Sequence, residues 1–161
     1  MHTPLRPLVE IARLNHRLFL NCLDDLDDAP ARKRPSEDVN DVAFIALHVV
    51  DARYFLVRQM GGRAESPFAA LLKDVNRVAD LRACPSVEAI RQAWCAVEGR
   101  LERRFAAMTR ERLAKRSTVQ FPVGDPTVLG CVTFLLQHES YHVGQLGMLR
   151  KYLGLGPMGY A

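Results

Sequence analysis

The chain has 161 residues, of which 48% are hydrophobic and 25% charged, with a formal net charge of +4. That is the balance of a globular protein of one-domain size, so a single unit over residues 1–161 is expected and an intrinsically disordered chain is excluded. The longest apolar runs, Val42 to Val50 and Val128 to Leu136, are far shorter than the ~18 to 20 residues a membrane span requires. With no apolar signal core near Met1, the expected location is the cytoplasm and no membrane partner is anticipated.

The first helix is predicted to start at Thr3 as N-cap with Pro4 in its opening turn. Its inward stripe reads Leu8, Ile11, Asn15, Leu18 and Cys22, and it fades in the run Asp24-Asp25-Leu26-Asp27-Asp28, whose charges oppose the dipole at a helix C-terminus. A second helix, capped by Asn40 or Asp41, should run to about Met60, where Gly61-Gly62 provides a stop. Its stripe, Phe44, Leu47, His48, Asp51 and Phe55, carries two polar residues in the middle. Residues 63–85 read as a long crossover holding a short helix within 67–81.

The third long helix opens with Ser86 as N-cap and shows one apolar face: Ile90, Trp94, Val97, Leu101, Phe105 and Met108. It reads as scaffold. After an irregular link over residues 110–124, Asp125 as N-cap followed by Pro126 predicts the start of a fourth helix ending near Leu153 before Gly154. Its 28 residues would span ~42 Å. No segment alternates as a strand would, so the expected fold is all-α, a four-helix bundle with a long crossover carrying a short extra helix.

Arg100 to Arg116 holds seven basic and two acidic residues. Without interleaved aromatic residues it reads as a solvated helix end, and no nucleic-acid partner is expected. Cys22, Cys84, Cys95 and Cys131 have no CxxC spacing, so they are read as reduced thiols, with Cys22, Cys95 and Cys131 packed as small hydrophobes in apolar helical stretches.

The fourth helix carries His138 and His142, four residues apart and therefore on one face, one turn from each other. Leu135 and Leu146 continue their stripe, which points both rings to the bundle interior. Buried imidazoles are costly unless hydrogen-bonded or ligating. The string His138-Glu139-Ser140-Tyr141-His142 also fits HExxH, which would make Glu139 the general base of a zinc protease. Against that, residues 143–161 contain no His, Asp or Glu to supply a third ligand downstream, and no sheet is visible. The third ligand must come from upstream. His2 lies in the tail and His16 falls beside the inward stripe, which leaves His48 on the apolar face of the second helix. Three neutral imidazoles would make a site for a borderline divalent cation with open positions. Alternatively, His48 is a core histidine satisfied by Asp51 or a carbonyl.

The segments Ala46-Leu47-His48-Val49-Val50-Asp51 and Leu135 to Leu146, followed by Arg150-Lys151-Tyr152-Leu153-Gly154, resemble the DinB-like (DinB/YfiT) superfamily, and helix order and spacing agree over essentially the whole chain. The resemblance implies a four-helix bundle in which His48, His138 and His142 bind one divalent ion such as nickel or zinc, with iron or manganese as further candidates. It also implies thiol-dependent chemistry as one option, since members of known activity include bacillithiol and mycothiol S-transferases and a mycothiol-dependent isomerase. The family often has Arg after the second histidine, where this chain has Val143.

On this reading the protein is a metal-dependent thiol S-transferase or hydrolase acting on a small molecule, with a low-molecular-weight thiol as a candidate. Asp51 and Glu139 are the candidates for proton transfer or for orienting a ligand ring, with Gln145 and Asn15 behind the ligands. Each has a plainer alternative: Glu139 facing solvent or a basic residue, Asp51 paired with Arg53 or His48, Gln145 closing a packing contact. The competing reading is a metal-binding or interaction protein without catalysis, and in either case a homodimer is expected.

Overall fold

The computed structural model describes residues 5–160, so the expected cap at Thr3 and the tail position of His2 lie outside the described residues. Among those described there are seven α-helices and one short 3₁₀ turn, with no strand beyond an isolated bridge between Arg116 and Thr127. The all-helical expectation is met. Four helices are long: α1 (Arg6–Cys22), α3 (Val42–Gln59), α5 (Val87–Ala107) and α7 (Val128–Tyr152), with α2 (Asp28–Ala31), α4 (Ala69–Leu72) and α6 (Arg110–Ala114) in the connections. Helix α3 packs against α7 on one side and α5 on the other, and α1 closes onto α7. No described helix is long and apolar enough to cross a membrane.

Local chemistry explains most boundaries. Asp41 Oδ1 accepts the Phe44 N–H at 2.8 Å and so caps α3, while Ser86 Oγ accepts the Ala89 N–H at 3.1 Å and caps α5. Gly61, at φ +76°, follows the α3 C-cap, and Gly154, at φ +80°, follows that of α7. Both backbones turn left-handed where an L side chain would be strained.

Elsewhere the structure departs from expectation. The start of α7 is not Asp125: its Oδ1 accepts the Thr127 N–H at 2.9 Å, and Thr127 is the cap, accepting from Gly130 N–H at 3.4 Å. Pro126 stays outside the helix because its carbonyl accepts the Ser117 N–H at 2.9 Å, stitching the preceding link to the helix start. Helix α7 therefore has 25 residues. The crossover holds α4 and a separate 3₁₀ turn at Val78–Asp80 instead of one helix, and the link after α5 includes α6, capped by Thr109. On α1 the buried side is Val9, Ala12, Asn15, Leu18, Phe19 and Cys22, so Leu8 and Ile11 give way to their neighbours and Ile11 is 39% exposed. Adjacent apolar pairs make that register ambiguous in sequence. The tie is broken by Arg53, whose Nη2 donates to the Ala12 carbonyl at 3.0 Å.

The core is continuous from α1 through α3, α5 and α7, with Phe19 stacked on Trp94 at a 4.0 Å centroid separation. All six predicted apolar residues of the third long helix, including Met108 at its C-cap, are buried. Cys22 and Cys131 are buried as expected, but Cys95 is exposed, one position round from Trp94 on the outer face of α5. In the basic stretch, Arg104 donates to the Met60 carbonyl from both Nε (3.1 Å) and Nη2 (2.6 Å), which satisfies an orphan carbonyl at the end of α3.

A candidate metal centre between α3 and α7

Helix α3 presents His48 toward the face of α7 that carries His138 and His142. The Nε2 of His138 lies 3.3 Å from that of His48 and 3.1 Å from that of His142. The three residues offer ligand atoms all within 4.8 Å of one another, and they are the group with this property among the described residues. For metal–nitrogen bonds of ~2.05 Å, neighbouring ligand atoms in tetrahedral or octahedral coordination stand ~2.9 to 3.3 Å apart. The observed separations fall in that range.

The protonation states fit the same use. Burial holds the His48 imidazole down to about 4, with the neighbouring His142 and His138 adding to the effect. His138 is lowered by burial and then by His142, and His142 by burial, partly offset by its hydrogen bond to Gln145. All three are thus neutral near pH 7, the form that ligates metal. Gln145 Oε1 stands 2.6 Å from His142 Nδ1, which must donate to it. That contact fixes the tautomer and leaves a bare lone pair on Nε2, facing the other two rings. Gln145 is itself held by Tyr141, its Nε2 donating to the hydroxyl at 3.2 Å. His138 Nδ1 is buried with no hydrogen-bond partner.

Two surroundings differ in character. On one side Phe134 stacks at 6.1 Å on His138, and Phe121, from the link before α7, stacks at 4.6 Å on Phe134. On the other side a cleft of about 590 Å³ reaches His48 and His142. Asp51, Tyr141 and Gln145 line it, and Leu72, Val75 and Asn76 of the crossover form part of its wall. Asp51 faces this cleft one turn beyond His48, and its Oδ1 is buried without a hydrogen-bond partner.

Glu139 and Asn15 are placed elsewhere. Glu139 is 2% exposed, and both its oxygens are taken by Arg53: Nε to Oε2 at 2.9 Å and Nη2 to Oε1 at 2.6 Å. The general-base position that HExxH suggests is therefore not what the fold makes of Glu139, which projects ~100° round the helix from His138. Nor does it face solvent. Asn15 spans α1 and α7, donating to the Leu136 carbonyl at 3.3 Å and accepting from Ser140 Oγ at 3.0 Å, on the side of α7 away from the histidines.

Sequence reasoning missed the buried arginine at the centre of this second network. Arg53 is 0% exposed, donates to Glu98 as well as Glu139, and lies 3.7 Å over the Trp94 ring. His16 joins it, with Nδ1 3.3 Å from Glu98 Oε2. One charged cluster therefore ties α1, α3, α5 and α7 together. The signal available was an arginine, two positions from Asp51, inside a helix otherwise apolar on nearly every side.

The sequence profile of the DinB superfamily matches residues 12–146, a stretch that contains all three histidines. The chain belongs to the DinB superfamily. Solved structures share its fold. A DinB-like protein from Bacillus cereus ATCC 10987 superposes with a TM-score of 0.73 at 18% identity, covering 94% of each chain. A conserved protein from Enterococcus faecalis gives a TM-score of 0.75 at 12% identity, covering 95% of this chain and 98% of that one. No curated protein matches the sequence. Family membership and the three-histidine group together fit a metal-binding protein.

Proposed function

We propose that this DinB-superfamily protein is a metal-dependent enzyme acting on a small molecule, with His48, His138 and His142 as the ligands of one divalent ion. The convergence of three neutral Nε2 atoms beside an open cleft carries the proposal. A donor set of three imidazoles suits zinc or nickel better than the harder calcium or magnesium. When bound, such an ion lowers the pKa of a coordinated water or thiol and polarises a substrate oxygen, which suits hydrolysis or thiol S-transfer.

The protein's own groups supply the rest. Gln145 holds His142 with its lone pair turned inward, and Tyr141 holds Gln145. Phe121 and Phe134 shield the His138 side from water, so access runs through the cleft past His48, His142 and Asp51. Asp51 is the carboxylate on that route and the remaining candidate to accept a proton or to hold the substrate.

The test starts with metal content. The purified protein should carry close to one divalent ion per chain, and His138→Ala with His142→Ala should lose it; an unchanged content would overturn the ligand assignment. Incubating the loaded protein with low-molecular-weight thiols and electrophiles, and separately with ester and amide panels, then separates transfer from hydrolysis. A binding role without catalysis is favoured if no panel turns over. We also propose a homodimer, supported by Tyr141, Met148 and Tyr152, which are 58%, 64% and 57% exposed along one stretch of α7. A monomer by sedimentation would remove it.

A further inference from the structure

The cleft beside the three histidines has an uneven chemistry. Its wall is largely apolar, with Phe44 and Ile45 of α3, Leu72 and Val75 of the crossover and Leu149 of α7. Its charged lining residues are both acidic, Asp38 at the rim and Asp51 next to His48, and no Lys or Arg lines it. Asp51 forms no ion pair among the described residues. The arginine nearest in sequence, Arg53, is turned away and fully engaged by Glu139, Glu98 and the Ala12 carbonyl. One oxygen of Asp51 is sealed from solvent with no donor within reach. A carboxylate that no protein donor satisfies is costly to bury, and a ligand that donates to Asp51 from the cleft lowers that cost.

We infer that the cleft selects a small molecule with an apolar body and a protonated amine, the amine pairing with Asp51 and the body lying against Phe44, Ile45 and Leu72. This narrows the substrate class of the metal site proposed above and rests on that reading only for where the reactive end lies. Away from the three histidines a polycarboxylate fits poorly: its outer charges would meet Asp38 and Asp51, and no Lys or Arg of the wall would offset them. The cleft volume, about 590 Å³, lies within the range usual for small-molecule sites.

Three probes with a common aryl body and different heads test this: 2-phenylethylamine, 2-phenylethanol and 3-phenylpropanoate. Each is titrated by calorimetry into the metal-loaded full chain and into His138→Ala, which lacks a complete ligand set but keeps Asp51. The amine should bind His138→Ala about tenfold more tightly than the alcohol, the gain of one charge-assisted hydrogen bond, with the propanoate weaker than both. Asp51→Asn should abolish that preference, whereas Phe44→Ala should weaken all three probes alike. Equal affinity for the three, no binding of any, or an amine preference that survives Asp51→Asn would overturn the inference. Because the preference is read in His138→Ala, it stands or falls separately from the metal: a wild-type chain without metal that still prefers the amine would overturn the metal reading alone.

Discussion

Gln145 acts on the site through His142. Its 2.6 Å contact with Nδ1 sets which nitrogen bears the proton, so Gln145→Ala should weaken metal affinity about 10- to 100-fold with the fold unchanged, measured by competition against a chelator. Glu139 makes the opposite prediction. Removing it leaves Arg53 buried with one fewer carboxylate, so Glu139→Ala should cost about 3 to 5 kcal/mol in urea denaturation while metal content stays near that of the wild type. Loss of turnover with unchanged stability would instead restore the general-base role that HExxH suggests. His48 adds a pH dependence. Burial depresses its folded pKa to about 4, below the unfolded value of about 6.5, so the unfolded chain binds the extra proton first. Its contribution is fully present above pH 6.5 and is lost as pH falls toward 4. The metal-free protein should therefore melt at progressively lower temperature over that window, and His48→Asn should flatten the slope.

At the scale of elements, the histidines are only as well placed as α3 and α7. The cap of α3 is a single buried carboxylate, and Asp41→Ala should lower stability by about 1 kcal/mol in thermal or urea melts. Asn40, the other cap considered from sequence, accepts from the Val78 N–H at 3.2 Å and ties the crossover to the start of α3 instead. At the head of α7, a Cβ on Gly130 would stand 2.1 Å from the Asp125 carbonyl oxygen, a backbone atom that cannot swing aside. This close approach explains why Thr127, and not Asp125, caps the helix: the turn formed by Asp125 folds back over Gly130. Sequence rules for caps rank residue types but do not see such a return of the chain. They read Ser86 correctly and narrowed the start of α3 to Asn40 or Asp41, because there the cap residue directly precedes an uninterrupted helix.

Across the whole molecule, the site bridges two helices far apart in the chain, so anything bound to the three histidines is linked to folding. At a free metal concentration 100 times Kd, binding stabilises by about 2.7 kcal/mol, or roughly 5 to 10 °C for a chain of this size. Scanning calorimetry before and after chelation should show that difference, and the His138→Ala variant should not. The Arg53 cluster plays the corresponding part on the other side of α3 and α7, since it joins all four long helices through charge instead of apolar contact.

The histidine spacing on α7, the polar interruption of α3 and the start of α5 were all legible in the amino-acid order. Each depends on helical periodicity or a local cap, which neighbouring residues determine. Those features suffice for the all-helical class and for nominating His48, His138 and His142. Tertiary structure decided what periodicity cannot express. Glu139 is next to a ligand in sequence yet belongs to a different network, because a step of ~100° on a helix separates two faces and packing chooses what meets each. Which face of α1 is buried, where α7 begins and which carboxylate stands at the open side of the histidines all follow from contacts between segments far apart in the chain.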